Sequence, residues 1–319
     1  PAHPARRWPL ILLLFGIFLI PGLMISLRVP KVEVQISVLV SEVAWRQQQS
    51  GEVLPPLKLA SLYVSSFSTI SLPLTREIPA EDLVDAPVSF AVSEGASGQV
   101  SLDAIHAGSG VRVALARAPA GTGATVYLSG VETSAKIVLA GVISVKSGNN
   151  MKEERDFGRG RPASVRASDT TNLGLDMRFE GEPDVHFPAH IMISDLSLNR
   201  VEEADIKGKR RSVSTVLSGE IYNESMNGSS YKLRKSEWLT LEGVNGELRS
   251  MQMTERGIQF DYHGEVTGIE VGSNNNRRSL MPNWLEWFGA RHSVKMLWGA
   301  FIWLTTTLFG VIKWWKRPQ

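Results

Sequence analysis

The chain has 319 residues and no cysteine. This excludes a disulfide framework, thiol catalysis and every cysteine-ligated zinc or iron–sulfur site. An excess of charge of one sign is missing too: 34 Lys+Arg stand against 32 Asp+Glu, a formal net charge of +2. Nucleic-acid binders carry a strong basic excess, so no nucleic-acid partner is expected. Charged residues make up 21% and hydrophobic ones 43%, too apolar a balance for a disordered chain. Gly121-Thr122-Gly123 is not followed by Gly-Lys-Ser/Thr, so it is no phosphate loop, and no H-E-x-x-H occurs. Long apolar runs are missing from the middle of the chain and confined to its two ends.

Those ends read as membrane segments. Trp8 to Leu27 (WPLILLLFGIFLIPGLMISL) carries no charge, with Arg6 and Arg7 before it and Arg28 and Lys31 after it. At about 1.5 Å per residue it covers roughly the 30 Å hydrocarbon core, which predicts a transmembrane helix over 8–28. A cleaved signal peptide would have a shorter apolar core and a small-residue cleavage site, and Ile25-Ser26-Leu27 is a poor match. Met296 to Ile312 is also uncharged, and Lys313, Lys316 and Arg317 follow it. It predicts a second transmembrane helix over 294–313, with Thr305, Thr306 and Thr307 bonded back to their own helix. Just before it, 281–292 (MPNWLEWFGARH) reads as an amphipathic interfacial helix with Asn283 as N-cap. The aromatic residues expected at the membrane interface are Trp8, Trp284, Trp287, Phe288, Trp298, Trp314 and Trp315.

Two spans place both termini on one side. The tails carry five Lys/Arg and the inner flanks four, a slight positive-inside bias, while residues 32–285 hold 25 Lys+Arg against 31 Asp+Glu. The expectation is a bacterial inner (cytoplasmic) membrane protein, with 1–7 and 314–319 as cytoplasmic tails and a periplasmic middle.

That middle is rich in period-2 alternation. Val32, Val34, Ile36 and Val38 alternate with Glu33, Gln35 and Ser37, and similar runs recur at Val88–Val92, Lys136–Lys146, Leu173–Phe179, Gly246–Met253 and Ile258–Tyr262. Gly141 is a candidate bulge within its run. Asn227-Gly228 and Asn245-Gly246 have the favoured chemistry of tight hairpins. Many short strands at regular spacing predict a mainly β fold of one or two antiparallel sandwich-like domains between the two membrane helices. Residues 148–172 are polar and read as a linker, dividing a β domain over 31–147 from a second over 173–272.

Residue patterns that suit chemistry are few. His186 and His190 invite a metal reading with Asp184 and Asp195 nearby. Pro188 in a strand-like context keeps the two imidazoles from aligning, so surface histidines without a ligand are the favoured account. Asp261, His263 and Glu265 alternate on one strand face, and solvated strand polarity is favoured there too. Ser225-Met226-Asn227-Gly228 lacks the proline of the serine element of bacterial signal peptidases. Asn223-Glu224-Ser225 and Asn227-Gly228-Ser229 fit glycosylation acceptors. Arg159, Arg161, Lys207, Lys209, Arg210 and Arg211 form basic clusters suited to lipid headgroups or an acidic partner. No catalytic residue, cofactor or metal is expected.

The function expected is a non-catalytic, membrane-anchored structural or accessory subunit of a larger membrane assembly, with the bilayer and other membrane protein subunits as partners. A lipid- or polysaccharide-binding envelope adaptor is the alternative, and a membrane-anchored hydrolase the less favoured one.

Overall fold

The computed structural model describes residues 22–72, 81–83, 87–118, 122–148, 150–167, 172–181, 184–203, 210–273 and 276–291, with 299, 302, 303, 306, 307 and 310. The strands of the first third are β1 (Val32–Val40), β2 (Glu42–Gln47), β3 (Gly51–Leu54), β4 (Leu57–Ser65), β5 (Thr69–Leu72), β6 (Glu81–Leu83), β7 (Val88–Val92) and β8 (Gly98–Ala107). There follow β9 (Arg112–Arg117), β10 (Gly123–Ser129), β11 (Ser134–Ser147), β12 (Asn150–Asp156), β13 (Arg161–Arg166), β14 (Leu173–Phe179), β15 (Val185–His186), β16 (Ile191–Ser197) and β17 (Asn199–Glu203). The last are β18 (Arg210–Ser214), β19 (Val216–Asn223), β20 (Ser229–Leu233), β21 (Trp238–Glu242), β22 (Asn245–Thr254), β23 (Gly257–Val266), β24 (Gly268–Ser273) and β25 (Asn276–Ser279), before helix α1 (Trp284–Arg291).

Alternation sets the inner face. In β1, Val32, Val34, Ile36, Val38 and Val40 are all buried while Glu33 is exposed, as a pleated strand with one face on a core requires. β1 runs into β2 past Ser41. β2 pairs with β16, β16 with β22, β22 with β23, and β23 back with β1, so this part of the sheet closes on itself like a barrel. From β2 the ladder continues through β9, β10 and β14 to β4. β4 then pairs with both β7 and β8, each of which also pairs with β11. Gly141, at φ 70°, stands where β11 changes partners from β8 to β7. A single apolar core runs from Val29 to Met281 and includes the buried Trp45, Phe90, Phe260 and Tyr262. Burying each such side chain stabilises the fold by about 1.5–3 kcal/mol.

Three expectations need correction. No helix among the described residues is long and apolar enough to cross a membrane. That overturns the fold class with flanking transmembrane helices, the membrane character drawn from it, and the inner-membrane, periplasmic placement. At the N-terminal side, residues 22–26 are helical and Arg28 forms a β-bridge with Asn283. Residues 8–21 and 292–298 and most of 301–319 lie outside the described residues. Thr306 and Thr307 do donate to main-chain carbonyls of Ile302 and Trp303, as expected of hydroxyls bonded back to a helix.

The second correction concerns sheet architecture. The sandwich-like domains are replaced by one 20-stranded, barrel-like sheet. The third concerns 148–172. Residues 150–156 and 161–166 are strands β12 and β13, laid along the free edge of β11. β13 buries Ala163 and Val165, two apolar residues too few to show as a periodic run.

Candidate functional site

The two ends of the β body meet in a clasp. Val29 N donates to Pro282 O at 3.0 Å, Trp284 N to Leu27 O at 3.2 Å, and Arg28 Nη1 to Met281 O at 2.7 Å. The turn of chain that follows forms α1 because its start is capped reciprocally. Asn283 Oδ1 accepts from Glu286 N at 2.8 Å, and Glu286 Oε2 accepts from Asn283 N at 3.0 Å. The helix packs Trp284 and Trp287 edge to face, ring centroids 5.3 Å apart, against the core. At its far end Asn227 Nδ2 donates to Ala290 O at 2.7 Å, tying α1 to the β19–β20 connection.

Under the clasp lies a cavity of 310 Å³. Arg28, Arg278, Glu286, Ile221 and Ile269 are among the residues that line it. The Arg278 guanidinium lies 4.9 Å from the centroid of Tyr231, whose hydroxyl donates to Glu237 Oε1 at 2.5 Å. That hydrogen bond, with burial second, holds the Tyr231 phenol above its ordinary value. Asn223 also lines the cavity, on the same strand face as Ile221. It is only 8% exposed, and its Oδ1 has no hydrogen-bond partner. Leaving a buried acceptor unpaired costs about 1–3 kcal/mol. The same burial removes Asn223 as a glycan acceptor.

A second constellation lies on the outer face of β1 and β23. Glu33, Glu224 and His263 bring their ligating atoms within 4.8 Å of one another. His263 Nε2 is 3.6 Å from Glu33 Oε1 and 3.5 Å from Glu224 Oε1. Two carboxylates and an imidazole are a set that divalent cations accept. Ser225 Oγ, accepting from Glu33 N at 3.1 Å, fixes the 3-10 turn that carries Glu224 onto β1. Glu33 and Glu224 escape sequence reasoning because nothing local links positions 33, 224 and 263. The strand neighbours of His263 go elsewhere: Asp261 accepts from Ser250 Oγ at 2.6 Å, and Glu265 lies 3.5 Å from Lys31 Nζ.

The remaining expected residues are dispersed. His186 Nε2 lies 3.5 Å from Asp184, whereas His190 Nδ1 lies 3.1 Å from Glu247, so the two imidazoles are not brought to one centre. Asp195 stands across from Arg46 in the β16–β2 ladder. Arg159 is in the turn before β13 and Arg161 stands opposite Leu139. Arg210 and Arg211 stand across from Glu203 and Glu202 in the β17–β18 ribbon, which gives each basic residue an acidic cross-strand neighbour. Trp287 carries the Arg291 guanidinium 4.9 Å from its ring, and Phe288 follows it in α1. Lys207, Lys209, Trp8, Trp298, Trp314 and Trp315 lie outside the described residues. No family model, no curated protein and no solved structure matches this chain.

Proposed function

We propose that the chain is a non-catalytic structural subunit of a larger protein assembly, docking at the end of the body where its two ends meet. The clasp carries this reading. Residues 27–29 and 282–284 are hydrogen-bonded to one another, so the two limits of the β body lie at one place on its surface. A body held at one place by both ends has little freedom to reorient, which suits a fixed partner more than a diffusing one. The continuous core from Val29 to Met281 makes that body stiff. A lipid-carrying adaptor has less in its favour: a 310 Å³ cavity walled by Arg28, Arg278 and Glu286 is small and polar for an acyl chain.

The test is purification of the native protein at its natural abundance, followed by quantitative mass spectrometry. Photo-crosslinkers are placed at Arg291, beside the clasp, and at Glu94, in the turn between β7 and β8. A stoichiometric protein partner crosslinked from position 291 and not from 94 is expected. A lone monomer, or equal crosslinking from both positions, would overturn the proposal.

A further inference from the structure

We propose that the unpaired edge of β17 joins the same edge of a second copy of this chain, antiparallel and in register about Val201, so that two β17–β18 ribbons make one four-stranded sheet. The inference does not depend on the docking role of the clasp, because it rests on a different strand.

Among the described residues β17 pairs with β18 alone, in a two-stranded ribbon separate from the main sheet. An edge of this kind is a template for another strand, and natural edges are blunted by a proline, a bulge or a central charge. β17 has none of the three. Its register with β18 runs without a shift, it holds no proline, and its central residue is Val201. Val201 is 65% exposed, more than any other large apolar residue on a described strand. Arg200 and Glu202 point to the opposite face and are partly exposed there, so both faces of β17 reach solvent.

The order of these residues suits one occupant in particular. When β17 is turned about Val201 onto its own copy, the two valines meet across the two-fold axis. Arg200 of each copy then stands across from Glu202 of the other, which is the favourable cross-strand pairing. Arg200 Nε already donates to Glu202 Oε1 at 2.7 Å within the chain, so the paired strands close a ring of four alternating charges. Other strands with one partner lack this symmetry. Centred in the same way, β12 would set Glu153 against itself and β25 would set Arg277 against Arg278. Such like-charge pairs oppose association. A two-fold contact is isologous and closes at two copies. Five residue pairs make a small contact, so the dimer is reversible, with a dissociation constant of about 1 μM or weaker.

Sedimentation of the full chain over a range from about 1 to about 500 μM tests this, with circular dichroism to check that each variant is folded. The unaltered chain should show a concentration-dependent dimer. Arg200→Glu alone and Glu202→Arg alone should each weaken it roughly tenfold or more, because each sets like charges across the axis. An equimolar mixture of the two variants should recover the dimer, because every charge then meets its opposite. The absence of cysteine supplies a second reading that needs no charge reversal. Mild oxidation of Val201→Cys should give a covalent dimer, and the same treatment of Val131→Cys, also exposed but between β10 and β11, should not. A chain that stays monomeric throughout the range overturns the proposal. So does a dimer that neither reversal weakens, a mixture of folded variants that pairs no better than each alone, or equal covalent yield from positions 131 and 201.

Discussion

Tyr262 shows how one residue ties packing to pH. It is fully buried on β23, and burial pushes its phenol up from 10 to about 12. Its hydroxyl donates to Glu265 O at 3.2 Å, and it has room to do so because Gly246 and Gly264 face each other across β22 and β23. A Cβ on Gly264 would stand 2.7 Å from the Tyr262 oxygen. Above the ordinary phenol value the unfolded chain releases this proton, while the folded chain keeps it until about 12. The unfolded state then binds fewer protons, so the contribution is complete below pH 10 and is lost as pH rises through about 12. Tyr262→Phe removes the titrating group together with one hydrogen bond worth about 1 kcal/mol. In urea denaturation at about pH 8 the unaltered chain should therefore be the more stable, and the gap should close as the pH approaches the phenol's raised value. A gap that stays constant through the alkaline range would refute this account of Tyr262.

Among the elements, α1 depends on its cap. Eight residues are too few to hold a helix by propensity alone, so the Asn283–Glu286 exchange and the packing of Trp284 and Trp287 must hold it. Asn283→Ala should cost about 1 kcal/mol, seen as a fall of about one to two degrees in the thermal midpoint and faster amide exchange within α1. Unchanged exchange in α1 would show that the tryptophans suffice. This cap was legible in the sequence, as were β7 and β14 to the residue, because strong alternation and cap chemistry are local signals. Asn-Gly pairs were legible only in part. Asn227 and Gly228 both adopt positive φ in the β19–β20 turn, as that dipeptide suggests. Asn245 and Gly246 lie instead inside β22, where the glycine makes space for Tyr262. Nor does any local signal foretell β12, whose Lys152, Glu153 and Glu154 are exposed and which is a strand only because the 14-residue β11 offers it an edge. The candidate site was less legible still. Arg28, Asn223 and Arg278 come from three distant segments that only the clasp and the β19 ladder bring to one cavity.

For the whole molecule, the question is whether the two halves are separable. The polar composition of 148–172 reads as a linker between two β domains and leaves open whether they pack together, but the ladders cross that boundary repeatedly. β1 is held between β19 and β23, β2 between β9 and β16, and β14 between β10 and β4. Residues 31–147 alone would leave the edges of β1 without either partner and the inner face of β1, from Val32 to Val40, without Ile221, Ile258 and Phe260 to pack on. Exposed apolar strand edges of that kind aggregate and do not fold. The intact chain should therefore unfold in one transition, with equal calorimetric and van't Hoff enthalpies, and residues 31–147 expressed alone should give no cooperative transition. Two resolved transitions in the intact chain would mean that the β1 and β2 ladders contribute little. The barrel-like closure would then be a contact between two independently stable units, and the clasp at Arg28 and Asn283 would be the feature joining them.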